Sequence, residues 1–232
     1  MTVKIMIDPG HGGTDPGASG NGLREKDLTL KLGLLTKKYL DDNYTGHSTK
    51  LSRSNDKTLS LKQRTDKANT WGADFFLSIH INAGGGTGYE DYIYVGLRSS
   101  SKTAKLQEVI HKEVAKAVNW RNRGRKQANF HVLRETKMHA MLTENGFIDT
   151  KKDSDLLKKE NTLQSIAKAH AVGLAKAFHL KEKESKHKPK PSNKVFYRVV
   201  AGSFKDKTNA LDQQKKLEKL GVKGVFLTTY KE

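Results

Sequence analysis

The chain has 232 residues, and its 43 Lys and Arg against 25 Asp and Glu give a net charge of +18. It contains no cysteine, which excludes disulfides and thiolate ligands, so any bound metal must be held by His, Asp or Glu. No apolar run approaches the roughly 20 residues that a membrane span requires. The positive charge favours a polyanionic partner, such as nucleic acid, anionic lipid or an acidic wall polymer, although a generally solvated surface explains it equally well.

The first residues, MTVKIMIDPG, enter an apolar strand pattern almost at once. They lack the basic region, the long apolar region and the small-residue cleavage site of a secretory signal. We therefore expect synthesis in the cytoplasm without a signal peptide, so that action outside the membrane requires release by another factor.

Apolar strand patterns alternate with helical spacing along residues 1–180, which is the rhythm of an α/β fold. Strands are predicted at VKIMI (3–7), ADFFLSIHIN (73–82), YIYVG (92–96) and HAMLTENGF (139–147). Helices are predicted around residues 28–39, 59–71, 106–117 and 163–178. The order predicts a mostly parallel central sheet with helices on both faces.

The last fifty residues differ in composition from the rest. Residues 181–194, KEKESKHKPKPSNK, contain Lys and Pro but no apolar residue, which predicts a flexible linker. Residues 195–232 then predict one small βαβ unit, made of the strand VFYRVVAGSF, the helix TNALDQQKKLEKLG and the strand VKGVFLTTY. We therefore expect a domain at 1–180, a basic linker at 181–194 and a small segment at 195–232.

Groups capable of chemistry follow three of the predicted strands. His11 lies in the glycine-rich loop DPGHGGTDPGASGNG, and His80 and Glu144 lie at or just past the ends of two later strands. Sites in open α/β sheets gather at the carboxyl ends of the strands, so these groups are candidates for one site. The loop lacks the GxGxxG and P-loop patterns, which disfavours a phosphate cradle.

Each of these groups also has a purely structural interpretation. A lone His such as His80 is often satisfied by a backbone carbonyl, and Glu144 could lie exposed at the rim of the sheet. Glu25, in NGLREKD at the start of the first helix, could be an ordinary capping acid. A buried, unpaired carboxylate costs several kcal/mol, so Glu144 requires a partner, a metal with its water, or solvent.

Four ordered motifs, IDPGHGG, NGLREKD, LSIHIN and TENGF, together resemble the zinc-dependent N-acetylmuramoyl-L-alanine amidases of bacterial cell walls. The resemblance spans roughly residues 3–178 and includes the softer blocks KLSRSND, LKQRTDKAN and RGRKQANFHVLRETKMHAM. By position, it implies that His11, Glu25 and His80 bind Zn²⁺ and that Glu144 is the catalytic carboxylate.

The reaction that the resemblance implies is hydrolysis of the amide bond between the lactyl group of N-acetylmuramic acid and the L-alanine of peptidoglycan. Its implied role is cell-wall lysis, by a phage or prophage endolysin or by a bacterial autolysin. The chain departs from the family at His139, where proline is common, and at Thr143, where valine is frequent. Neither departure touches an implied ligand.

Four further residues are candidates for contact with the substrate. Asn82 could orient a neighbour or touch the substrate, and a strand-end cap is an equal alternative. The basic stretch RNRGRKQANF (121–130) is predicted to be a loop, either a solvated turn or part of the groove for glycan or peptide carboxylates. Guanidinium groups suit carboxylate oxygens, so Arg123, Arg125 and Arg134 are the predicted contacts.

The C-terminal stretch YRVVAGSFKDKTNALDQQKKLEKLGV resembles the SPOR domain, a module that binds peptidoglycan lacking stem peptides. The resemblance implies two such units in a complete domain, whereas residues 195–232 supply one. A lone βαβ unit of this size is short for independent folding, so we expect that it could form a dimer. Peptidoglycan and anionic wall polymers are the expected partners.

The main alternative is a non-catalytic protein that binds a polyanion, either the cell wall or nucleic acid. Nucleic acid is disfavoured because no RNP-like aromatic string is present and aromatic residues make up only 7% of the chain. A wall-binding module without catalysis is distinguished from an enzyme by the behaviour of the Glu144→Ala variant and by treatment with EDTA.

Overall fold

The computed structural model describes residues 2–183 and 200–229 of the chain. The chain divides into two compact units, Met1–Ser185 and Lys186–Glu232. In the first unit the strands are β1 (Val3–Pro9), β2 (Ser19–Gly20), β3 (Leu23–Arg24), β4 (Tyr44–Thr45), β5 (His47–Leu51), β6 (Phe75–Asn82), β7 (Tyr89–Tyr94), β8 (Asn122–Ala128), β9 (His139–Phe147) and β10 (Lys181–Glu182). Its helices are α1 (Glu25–Asn43), α2 (Leu61–Trp71), α3 (Lys102–Val114), α4 (His131–Arg134), α5 (Lys151–Leu157) and α6 (Glu160–Ala177).

Six strands form the central sheet, in the order β5-β1-β6-β9-β7-β8. Four of its five strand pairings are parallel, and the pairing of β7 with β9 is antiparallel. The predicted mostly parallel sheet is therefore confirmed. Its carboxyl-terminal edge brings the ends of β1, β6 and β9 side by side, which is where the three candidate groups of the sequence lie.

Helices cover both faces of the sheet because the apolar side chains of β6 alternate between two cores. Phe75, Leu77 and Ile79 belong to the larger core, together with apolar residues of α1, α3 and α6. Phe76 points the other way and packs with residues of α2 and α4. The prediction of helices on both faces is also confirmed.

Several predicted bounds are shifted in the structure. β9 occupies the predicted residues 139–147, whereas β7 begins at Tyr89, three residues before the predicted YIYVG. α2 begins after Ser60, whose side chain accepts a hydrogen bond from the backbone N–H of Gln63 in a capping box. The sequence identified these elements but placed some of their ends imprecisely.

The basic stretch RNRGRKQANF, predicted to be a loop, forms strand β8 over most of its length. The loop prediction was wrong. Charged residues argue against a buried strand, but they do not argue against a strand such as β8, which is not buried. It lies at the edge of the sheet, pairs in parallel with β7 and exposes much of its surface. An edge strand tolerates charges that a central strand does not.

The first unit extends past residue 180, the predicted end of the first domain. Lys181 and Glu182 form β10, which pairs antiparallel with Thr45 and Tyr44 of β4. The Lys183 N–H also donates to the carbonyl of Asn43 at 2.7 Å. The rest of the predicted linker, residues 184–194, lies outside the described residues.

In the second unit the structure describes residues 200–229, which contain the predicted helix as α7 (Lys207–Lys219). Asp206 caps it by accepting a hydrogen bond from the Thr208 N–H at 2.6 Å. No strand is assigned within 200–229, and residues 195–199 of the predicted first strand lie outside the described residues. No α7 residue is buried within this part of the chain, so the described segment lacks a core of its own. Across both described ranges, no helix is long and apolar enough to cross a membrane.

Replacing Arg64 with Met should lower the free energy of unfolding by about 3–5 kcal/mol, because the buried Asp8 carboxylate then loses its ion partner. The Arg64 Nη1 lies 2.8 Å from Asp8 Oδ1, and both side chains are almost fully buried. Urea unfolding measures the change. Lys62→Met is the matched control on the same helix, since its exposed pair with Asp66 contributes less than about 1 kcal/mol. Equal losses in the two variants would contradict this account.

Candidate metal centre and active site

The loop after β1 presents His11 in an unusual backbone conformation. His11 has φ 59°, in the left-handed region that non-glycine residues rarely occupy. Two buried arginines hold the loop there: the Arg64 Nη2 donates to the His11 carbonyl at 2.6 Å, and the Arg53 Nη2 donates to the Gly10 carbonyl at 2.8 Å. The surrounding structure therefore stabilises a conformation that the chain would not adopt alone.

Two glycines of the loop are required by close approach to the candidate site. A Cβ on Gly10 would lie 2.3 Å from the ring of His80, and a Cβ on Gly17 would lie 2.6 Å from Glu25 Oε2. Gly17 also has φ 63°, which favours glycine. The glycine-rich composition of this loop thus allows its backbone to pack directly against the side chains of the site.

His11, Glu25 and His80 come together where β1, α1 and β6 meet. One oxygen of Glu25 lies 3.2 Å from His11 Nε2, and the other lies 3.0 Å from His80 Nδ1. Each of the three residues offers a ligand atom within 4.8 Å of the other two. Two imidazoles and a carboxylate are the ligand types of a zinc-like ion, so the donor set fits a metal.

Glu25 is buried at the first residue of α1, where free backbone N–H groups and the helix dipole favour a carboxylate. It accepts hydrogen bonds from the N–H groups of Ala18 at 2.9 Å and Ile81 at 3.0 Å. Burial acts to raise the pKa of Glu25, but the hydrogen bonds and charges of His11 and His80 outweigh it and hold that pKa far below its usual range. Glu25 therefore carries a full negative charge at neutral pH.

Asp15 fixes the orientation of the His11 ring. Its Oδ2 lies 2.8 Å from His11 Nδ1, which leaves Nε2 directed towards Glu25. Burial acts to lower the pKa of His11, but the hydrogen bonds and charges of Glu25 and Asp15 outweigh it, and the pKa is raised. A carboxylate behind a histidine ligand is a common arrangement that sets the tautomer of the ligand.

Glu144 lies beside this cluster on the next strand of the sheet. It is the register partner of His80 in the parallel pairing of β6 with β9, so the two side chains share a face. Its Oε2 is buried and has no hydrogen-bond partner among the described residues. Burial, together with the charges of Glu25 and Glu90, raises the pKa of Glu144 well above its usual value. An unsatisfied carboxylate next to a metal-type cluster is typical of a general base.

The backbone around Glu144 is fixed by a buried polar chain. The Asn145 Nδ2 donates to the His80 carbonyl at 3.0 Å and to the Thr143 hydroxyl at 3.1 Å. The same hydroxyl lies 3.2 Å from His170 Nε2. Thr143, one of the departures from the family pattern, therefore has hydrogen-bonding partners that a valine could not have. His139, the other departure, bonds to Thr103 through its Nδ1.

The predicted substrate-contact residues fall into two groups. Asn82 and Arg123 both bond to Glu90, which is the antiparallel register partner of Glu144. Arg125 instead pairs with Glu108 of α3 at 3.6 Å. Arg134 bonds locally to Glu135 and Asn129. Among the described contacts, the structure thus links Asn82 and Arg123 to the neighbourhood of Glu144 but gives Arg125 and Arg134 other partners.

Several residues of the site escaped the sequence analysis. Asp15 stands four residues after His11 in the glycine-rich loop, and its position within ligand reach was a usable signal. Arg53 and Arg64 lie in two of the softer blocks, where a buried arginine looks like any exposed basic residue. Glu90 is only 3% exposed, and its position beside Glu144 comes from strand pairing that the local sequence does not indicate.

Comparisons with known proteins agree with this geometry. The family model of N-acetylmuramoyl-L-alanine amidase matches residues 5–176, and the model of the SPOR domain matches residues 158–228. The two matches overlap on α6, which packs within the first unit. The resemblance to a SPOR domain is confirmed, and its match begins well before residue 195.

The relatives include enzymes of bacteria and of a phage. The chain is 51% identical to the sporulation-specific N-acetylmuramoyl-L-alanine amidase of Bacillus subtilis, over 97% of this chain and 84% of that protein. It is 42% identical to the endolysin of Bacillus phage SPP1, over 84% of this chain and 73% of the endolysin.

Solved structures resemble the first unit. The catalytic domain of CwlV, an amidase from Bacillus (Paenibacillus) polymyxa var. colistinus, aligns with a TM-score of 0.73 at 34% identity, covering 78% of this chain and all of that domain. Sequence motifs, site geometry and relatives therefore agree, and the chain belongs to the N-acetylmuramoyl-L-alanine amidase family.

Proposed function

We propose that this amidase hydrolyses peptidoglycan with a zinc ion held by His11, Glu25 and His80, and with Glu144 as the general base and acid. Its family and relatives establish cleavage of the amide bond between N-acetylmuramic acid and L-alanine in cell-wall lysis. The observation that carries the zinc proposal is the convergence of the three ligand atoms within 4.8 Å.

The ligand set suits a catalytic ion. His11, Glu25 and His80 would hold the ion with three ligands and would leave room for water or substrate. Zinc, when bound, supplies a Lewis acid that polarises the amide carbonyl and makes water more acidic. The chain contributes the fixed geometry: Asp15 orients His11, and the N–H groups of Ala18 and Ile81 hold Glu25.

Glu144 is the residue proposed to move the proton. Its ionised carboxylate would accept a proton from the attacking water and return it to the nitrogen of the leaving L-alanine. The buried Oε2 without a partner supports this role, because no described side chain competes for the proton. The raised pKa also supports it, because it makes the ionised carboxylate a stronger base than an ordinary glutamate.

The second unit is proposed to bring the enzyme to its substrate. The SPOR match supports binding to peptidoglycan, and a tether between two weak contacts increases overall affinity without new contacts. The net charge of +18 supports attraction to anionic wall polymers. The domain bounds, dimer formation through the C-terminal segment, and cytoplasmic synthesis followed by release stay predictions from the sequence.

Changing a proposed ligand and changing the proposed base should have different effects. His80→Ala should lose both zinc and activity, because only His11 and Glu25 then remain as ligands. Glu144→Gln should retain about one zinc per chain while kcat falls by roughly 10²- to 10⁴-fold, since the amide cannot accept the proton. Metal analysis of the purified variants and release of free L-alanine amino groups from peptidoglycan measure the two effects.

The same assay tests the identity of the reaction. Arg98→Gln is a control that removes one charge from an exposed loop residue and should leave both zinc content and activity unchanged. New reducing sugar ends in place of alanine amino groups would indicate a glycosidase. Zinc loss in Glu144→Gln would contradict its assignment as the base, and full activity after EDTA treatment would contradict the zinc proposal.

Zinc binding to the metal-free chain should release protons at pH 7. The raised pKa of His11 keeps part of this residue protonated, and zinc binds only the neutral ring, whereas Glu25 is already ionised. Zinc affinity should therefore fall as the pH is lowered through the His11 pKa. Titration calorimetry in two buffers with different ionisation enthalpies counts the protons.

Asp15→Asn provides the comparison for this titration. Removing the Asp15 charge lowers the His11 pKa, so fewer protons are released at pH 7 and the affinity loss begins at lower pH. If both proteins release the same number of protons, His11 is not the residue that loses a proton when zinc binds.

A further inference from the structure

Three side chains form a row across the sheet beside the metal centre. His80 on β6 is in register with Glu144 on β9, and Glu144 is in register with Glu90 on β7. Register partners on neighbouring strands point to the same face, so the three side chains project together. Two strand spacings separate the first from the last, which is on the order of 10 Å.

Glu90 ends this row as a buried carboxylate with four donors. Its Oε1 accepts hydrogen bonds from Asn82 Nδ2 and from the Tyr92 hydroxyl, each at 2.8 Å. Its Oε2 accepts from Arg123 Nε at 2.7 Å and from the Lys126 ammonium. Both oxygens are therefore satisfied, and Glu90 has no capacity left for direct contact with a substrate.

Glu90 is permanently ionised in this setting. Burial acts to raise its pKa, but hydrogen bonds from Lys126, Arg123 and Tyr92 outweigh that effect and lower the pKa to about 2. One carboxylate thus faces two cations, and the group of three keeps a net charge of +1. The excess positive charge lies on β8, which β7 and β9 separate from the strand of His80.

Arg123 is held in a geometry that leaves its outer end free. Only its Nε bonds to Glu90, and its guanidinium lies over the ring of Phe147 at 4.9 Å. The two terminal nitrogens have no hydrogen-bond partner among the described residues, and 26% of the side chain is exposed. One edge of this guanidinium is fixed and its face is stacked on an aromatic ring. Its two terminal nitrogens can therefore donate to both oxygens of a carboxylate.

The substrate carries its negative charge in the peptide. The lactyl carboxyl group of N-acetylmuramic acid is consumed in the scissile amide, and the acetylated amino sugars are neutral. Free carboxylates near the scissile bond therefore belong to the stem peptide. A distance of about 10 Å corresponds to roughly three extended residues, so a carboxylate early in the stem can reach from the cluster to Glu90, where the Arg123 guanidinium is bound.

We propose that Arg123 and Lys126, positioned by Glu90, form a subsite that binds a stem-peptide carboxylate while the scissile amide lies between the metal centre and Glu144. This inference rests on the proposed function and specifies the substrate of the same site. Arg123 and Lys126 touch the carboxylate, and Glu90 is a positioning residue that acts through them. Arg125 and Arg134 have no part in this subsite.

The test uses two soluble substrates and the full-length, zinc-loaded enzyme. One is an N-acetylmuramoyl peptide with free stem carboxylates, and the other is the same compound with those carboxylates converted to primary amides. The parent enzyme should show a KM about 10-fold lower for the carboxylate compound. Arg123→Gln should raise KM for the carboxylate compound by a similar factor and leave KM for the amide compound unchanged, with kcat nearly constant.

Controls separate this effect from general charge and from misfolding. Arg98→Gln removes the same charge from an exposed position and should keep the discrimination of the parent enzyme. Zinc content and the amide-compound kcat report whether each variant is folded. Equal KM values of the parent enzyme for both compounds would overturn the proposal, and so would a loss of discrimination in Arg125→Gln but not in Arg123→Gln.

Glu90→Gln tests the positioning role. The neutral amide holds Arg123 less firmly, so KM for the carboxylate compound should rise, and the double variant with Arg123→Gln should show no further rise beyond Arg123→Gln alone. A fall in KM would instead mean that Glu90 competes with the substrate, which would overturn its role. Failure of the proposed function would give a different result: neither the parent enzyme nor any variant would require zinc or release alanine amino groups.

Discussion

The site depends on two buried arginines that hold the turn after β1. Arg53 and Arg64 donate to three consecutive carbonyl groups, those of Pro9, Gly10 and His11. Each charged donor is matched by acceptors in the interior, where an unmatched guanidinium would be costly. Because the carbonyls are fixed, His11 stays in its left-handed conformation and its ring faces Glu25. The rest of the candidate metal centre is built on elements that already converge there.

Parallel topology explains why the other groups meet. β1, β6 and β9 are neighbours that end at the same edge, and α1 begins with Glu25 against that edge. The helix N-terminus and two histidines stabilise the carboxylate of Glu25, whereas Glu144 receives no such contact and is desolvated. Two neighbouring glutamates thus acquire opposite properties from their surroundings. One suits a permanently ionised ligand, and the other suits a group that exchanges protons.

Much of this arrangement was predictable because the relevant signals are local. The strand period around His80, the apolar run at 139–147 and the ordered motifs around His11 and Glu25 required no knowledge of packing. Glu90 and β8 could not be identified in the same way. Their roles come from pairing between strands that are distant in sequence, and a buried ion cluster has the same composition as a solvated charged turn. The C-terminal unit shows a related difficulty, since strands are defined by partners that its short sequence does not specify.

The position of β8 at the border of the sheet has a consequence for how the enzyme behaves in concentrated solution. An open strand offers unpaired backbone groups that could template stacking of one molecule on the next. Here the exposed Arg121 and Arg125 lie at or next to that border, and positive charges on two such strands repel each other. The same basic character therefore discourages pairing between the edge strands of two molecules.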